Sequence, residues 1–190
     1  TQQFKLMEPR LLLMTYRDVL VSIAVMLLSL GSLHAADKPN VLDNADYQGW
    51  KHSGSMWLLT TPEGADLPAE AKVEQFPVLV RLHRDFFDFA QAKPNGDDVR
   101  FSSSTGERLA FQIEEWDAAK GVASIWVRVP LITGNARQEI KLHWGNASAT
   151  SQSDGKAVFN ESNGYLSVWH MNDPVRDEVG TLTCTDTGTT

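Results

Sequence analysis

The sequence predicts an all-β protein, an antiparallel and jelly-roll-like β-sandwich, and three observations carry that prediction. Short segments alternate apolar with polar residues, the period of a strand that buries one face. They recur every ~10 to 20 residues with turn signals between them, which is the spacing of a sandwich. No amphipathic stretch is long enough to serve as the crossover helix that parallel strands would need. With 190 residues, 42% of them hydrophobic, the chain can bury one ordinary core, or one core and a fragment of a second.

At the N-terminus, Arg17 precedes an apolar run over 19–33, followed by the small residues Ala35 and Ala36 and then charged, Pro-containing sequence. This pattern reads as an export signal. The run of about 15 residues is short of the roughly 20 that span a bilayer, so a cleaved signal is favoured over an uncleaved anchor. Residues 1–36 are therefore assigned to a signal peptide or anchor with a few upstream residues, Met7 or Met14 being the expected start. The remainder is expected to be exported, in the periplasm or cell envelope. Membrane contact is expected only through this segment or through a region C-terminal to Thr190.

Residues 37–54 are rich in turn formers, among them Asp43, Asn44, Asp46 and Gly49, and read as a lead-in. The β-sandwich domain is expected over 55–162. Its first strand is 55–60, and a loop containing Pro62 and Pro68 follows. In the second strand, 76–83, Val78, Val80 and Leu82 share one parity and Leu79, Arg81 and His83 the other. Phe86, Phe87 and Phe89 suit a short irregular plug at one end of a sheet, and Lys93-Pro94-Asn95-Gly96 is a turn. Three more alternating segments come after it. In 109–114, Leu109, Phe111 and Ile113 oppose Gln112 and Glu114. In 123–129, Ala123, Ile125, Val127 and Val129 oppose Ser124, Trp126 and Arg128. In 140–144, Ile140, Leu142 and Trp144 oppose Lys141 and His143, and Gly145-Asn146 ends the strand. Residues 164–170 again resemble a strand, the start of a second domain over 163–190. With no sheet of its own to join, it is expected to dock as an edge strand.

Charge and chemistry narrow the function. The net charge is −7, and it is more negative beyond residue 36, because Lys5, Arg10 and Arg17 outnumber Glu8 and Asp18 in the leader. Without a basic stripe, nucleic acid is excluded as a partner. Cys184 is the only cysteine, so neither an internal disulfide nor a thiolate metal cluster can form. Asp97 and Asp98 beside Gly96 invite a calcium loop, but no further ligands follow at loop spacing. They are read as a turn cap, one of them pairing Arg100. Glu114, Glu115 and Asp117 are carboxylates on one strand, which do not converge as a glycosidase pair must. His83 and His143 lie on polar strand faces and show no metal-ligand spacing. No metal, cofactor or catalytic residue is expected. Six tryptophans are many for this length. Trp144 has the buried parity, whereas Trp116 and Trp126 share the polar parity of their strands and are the candidates for an exposed, ligand-binding platform.

Several motifs also carry a family resemblance: FPVLVRL at 76–82, DDVRF at 97–101, LAFQIEEWD at 109–117, ASIWVRVP at 123–130 and WGN at 144–146. On these the stretch 57–159 resembles a bacterial domain-of-unknown-function family of exported proteins. His143-Trp144 stands where that family usually has tyrosines. The resemblance implies structural roles for Asp98, Arg100, Phe101, Trp144, Gly145 and Asn146, and it carries over no catalytic residue. It also implies neighbours: a concanavalin-A-like, laminin-G-like lectin domain, which GYLSVWHMND at 164–173 would open, and in some members a MotA/TolQ/ExbB proton-channel module. The expected function is a non-catalytic module for ligand recognition or attachment in the envelope, its partner a glycan or an envelope protein. The alternatives are a carbohydrate-binding module proper and a periplasmic accessory region of a biopolymer-transport channel.

Overall fold

The computed structural model describes residues 47–171, 175–180 and 182–183. The predicted export segment, most of the lead-in and Cys184 lie outside those residues. Seven strands form the fold: β1 (His52–Leu59), β2 (Lys72–His83), β3 (Arg100–Ser103), β4 (Arg108–Leu109), β5 (Phe111–Asp117), β6 (Val122–Thr133) and β7 (Arg137–Trp144). They make a four-stranded sheet in the order β1-β7-β3-β4 and a three-stranded sheet in the order β2-β6-β5. Every pairing is antiparallel. The predicted all-β sandwich is the architecture observed.

The core lies between the two sheets and is built from the parities the sequence displays. Val80, Leu82, Phe111, Ala123, Ile125, Val127 and Val129 face it from one sheet, and Phe101, Leu109, Ile140 and Leu142 from the other. Phe101 and Phe111 meet across the interior with ring centroids 5.5 Å apart. Phe87 and Phe89 are buried and Phe86 is exposed, so the aromatic plug closes one end with two of its three rings. Asp88 caps the 3₁₀ turn Phe89–Gln91 through the amide of Ala90.

Three local features depart from the sequence reading, each for a physical reason. β1 and β2 start earlier than predicted, at His52 and Lys72, because register with β7 and β6 continues into residues that look like loop. The segment 109–114 is not one strand. Leu109 pairs with Phe101 in the first sheet, Phe111 pairs with Val127 in the second, and the carbonyl of Ala110 accepts from the amide of Arg128 at the crossover. Because Leu109 and Phe111 are both buried, the alternation runs unbroken through a change of sheet. Lastly, β5 is bulged. Ile113 opposes Ile125 while Glu115 opposes Ser124, so Glu114 is the extra residue and the inward parity flips beyond it.

The segment 164–170 does not add a strand to a sheet edge. After the one-turn helix Gly155–Val158 and the 3₁₀ turn Glu161–Asn163, the chain crosses the outer side of β5 and β6, and the described part of the tail makes one isolated bridge, Trp169 with Asp177. The β5 edge is already taken: the amide of Ile113 donates to Ser153 Oγ at 2.8 Å, and the amide of Asp154 to the Phe111 carbonyl at 2.9 Å.

Candidate functional site

The residues of the family motifs meet at one end of the four-stranded sheet, although they are far apart in sequence. Asp98 is 1% exposed, and its carboxylate accepts from the backbone amides of Lys93 (2.8 Å), Gly145 (2.7 Å) and Asn146 (3.1 Å). Its partner is therefore the end of β7, and the expected pairing with Arg100 is replaced. Arg100 turns its guanidinium to the carbonyls of Asp97, Val99 and Thr150 and lies 5.4 Å from the ring centroid of Trp50. Burial draws its pKa downward, with Arg108 adding to the effect. Phe101 is fully buried in the core. Trp144 packs on the aromatic plug, 5.1 Å from Phe87, and its indole N–H donates to Gln91 Oε1. Asp98, Gly145 and Asn146 are joined by hydrogen bonds, and Arg100, Phe101 and Trp144 pack or bond within the fold.

His143, expected on a polar face, is buried. The ring of Tyr47 stacks on it at 3.9 Å, and Ser102 Oγ lies 2.9 Å from its Nε2. Burial, and behind it Lys141, push its pKa down to about 4, so it is neutral at ordinary pH and shares with Ser102 a hydrogen bond whose direction follows the imidazole tautomer. A serine beside a histidine invites a nucleophilic reading. Here Ser102 is 1% exposed, and a base that weak activates a hydroxyl poorly.

Neither expected platform residue presents a bare ring. Beyond the bulge Trp116 turns inward, packing edge-on against Phe87 at 6.0 Å and Phe89 at 5.2 Å. Trp126 does face outward, but the tail covers it. Phe159 meets it edge-on at 5.6 Å and His170 stacks on it at 6.2 Å, while its indole N–H donates to Glu114 Oε2 at 2.6 Å. His170 is held in turn between Gln112 Oε1 (3.1 Å) and Glu114 (3.5 Å).

The exposed indole is Trp57, on β1, 46% exposed. It stands beside Glu139, its cross-strand partner, with the guanidinium of Arg137 4.0 Å from its ring centroid. Ser55 Oγ donates to Glu139. Trp57, Arg137 and Glu139 line a cleft of about 420 Å³ together with the apolar Leu109, Val129 and Ile140 and the polar Ser103, Ser104 and Glu107. The cleft exists because β7 runs past the end of β3, which pairs with it only from Arg100 to Ser103. Trp57 was legible by the rule applied to the other strands: it has the parity of Ser53 and Ser55. Among the described residues no three His, Cys, Asp or Glu side chains are placed to hold a metal ion, and no helix is long and apolar enough to cross a membrane.

Residues 95–169 match the family model described as a domain of unknown function, DUF2341. The match takes in β3 to β7 and the tail as far as Trp169, and leaves out β1 and β2, which supply an outer strand to each sheet. No curated protein and no solved structure shows significant similarity to the chain.

Proposed function

We propose that this chain is a non-catalytic recognition module of the cell envelope, exported by its N-terminal segment, and that it binds glycans at the cleft beside Trp57. The observation that carries the reading is a half-exposed indole set among Arg137, Glu139 and Ser55 on the rim of an open cleft. The C–H face of a pyranose packs against an aromatic ring, and its hydroxyls need charged and polar partners at the margin. A concave site lined by apolar side chains with a few polar groups is the usual form of a small-ligand site, and its volume falls in the usual range of ~300 to 1,000 Å³.

Titration of intrinsic tryptophan fluorescence with a panel of neutral and acidic oligosaccharides tests this. Saturable binding is expected for the native chain, weakened about tenfold or more by Trp57→Ala, the loss of a central aromatic anchor. Trp126→Ala should bind as the native chain does wherever it stays folded. Binding that survives Trp57→Ala, or no binding across the panel, would sink the proposal.

A further inference from the structure

We propose that β1 is a self-association edge, pairing antiparallel with β1 of a second copy so that two four-stranded sheets become one of eight strands. This goes beyond the glycan reading, and because Trp57 takes part in both it is tested with no sugar present.

The backbone sets the opportunity. The amide of Thr60 donates to the carbonyl of Ala136 on the β7 side. In an antiparallel ladder the direction of the backbone groups alternates residue by residue. Leu58, Met56, Gly54 and His52 therefore turn their N–H and C=O groups toward β7, and Ser53, Ser55 and Trp57 turn theirs away from it. The carbonyl of Leu59, in the same outward set, is taken by the amide of Ala65. Among the described residues no strand pairs with the other three.

The remaining outer strands are guarded in the ways that keep sheets from joining. β2 carries Lys72, Glu74, Pro77 and Arg81, and Asn163 Nδ2 occupies the carbonyl of Gln75. β4 has two residues. β5 is bulged and covered by Ser153 and Asp154. By contrast β1 reads HSGSMWLL, without proline, lysine, arginine or carboxylate, and its register with β7 is unbroken from His52 to Leu59.

The occupant follows from the segment itself. An interface across a two-fold axis must be complementary to its own copy. Centring the axis on Met56 sets Trp57 against Ser55 on the outer face and Leu58 against Gly54 on the inner face, while Leu59, its carbonyl held by Ala65, lies beyond the end of the new ladder. Each pair matches a large side chain with a small one, and no like charges meet. Trp57 is 46% exposed and would gain a cross-strand contact.

The test is amide hydrogen exchange at residue resolution on the full chain at rising concentration, alongside light scattering, under reducing conditions so that Cys184 cannot cross-link. A dimer is expected, with exchange at Ser55 and Trp57 slowed about tenfold or more as it forms, while Gly54 and Met56, already bonded to β7, are unchanged. Ser55→Lys places a cation opposite Lys141 and diagonal to Glu139 in the monomer, and near the Arg137 guanidinium of the second copy in the dimer. It should leave a folded monomer whose melting temperature is slightly lowered by the facing Lys141. If that variant misfolds, the exchange pattern of the native chain still decides. A chain that stays monomeric, or a dimer in which Ser55 and Trp57 exchange as in the monomer, would overturn the proposal.

Discussion

The carboxylate of Asp98 shows how one residue can tie together motifs that the chain separates. It accepts three backbone amides from two loops, so Asp98→Ala would leave three part-buried donors without this partner. A loss of about 3 kcal/mol or more is expected in urea denaturation, and Asp98→Asn, which keeps one acceptor oxygen, should lose less. The pairing could not be read from the sequence, because two of the amides lie 47 and 48 residues downstream whereas Arg100 is a near neighbour. His143 was misplaced for a similar reason: Tyr47, which buries it, lies in a stretch composed like a loop. Its folded pKa of about 4 stands below the ordinary 6.5. The unfolded chain thus takes up a proton first as pH falls, and stability present in full above pH 6.5 is lost progressively toward pH 4. About 2 kcal/mol should go between pH 7.5 and 5. His143→Gln, which cannot titrate, should show that much less pH dependence over the same interval in parallel melts.

Among the elements, β5 shows what alternation can and cannot reveal. Its apolar positions were legible, and so was the core they line. A change of sheet at Ala110 that keeps both flanking residues buried leaves no mark in the pattern, and a bulge at Glu114 reverses every assignment beyond it. Trp116 was therefore placed on the wrong face. For Trp126 the face was right, yet a strand's own sequence says nothing of what later lies on it. Since Phe159 and His170 pack against that indole, Trp126→Ala should cost about 2 kcal/mol and speed amide exchange in the tail between Phe159 and His170. Trp57→Ala removes a ring half in water and should change stability by less than about 0.5 kcal/mol. The reverse ranking in thermal melts would show that the tail is not a fixed layer over β5 and β6.

For the molecule as a whole, the sandwich and most of its core were visible in the sequence. The tail's path was not, since its apolar residues fit a free strand and a covering layer equally well. Packing of the two sheets holds the described fold together, so a chelator such as EDTA should leave the melting temperature unchanged; a large drop would reveal a metal that the side chains do not predict. The pairing of the strands also sets a timetable. Ser55 on β1 and its bonded neighbour Glu139 on β7 are 84 residues apart in sequence, and β3 too waits for β7. The second sheet can assemble from nearer neighbours such as β5 and β6, but the first cannot close until the chain is made through Trp144. Until then β1 has neither partner nor guard, and its apolar run is open to other chains. Refolding from urea should accordingly be slow, in milliseconds to seconds, with the amides of β1 protected last, and its yield should fall with protein concentration more steeply than the native state's stability would suggest.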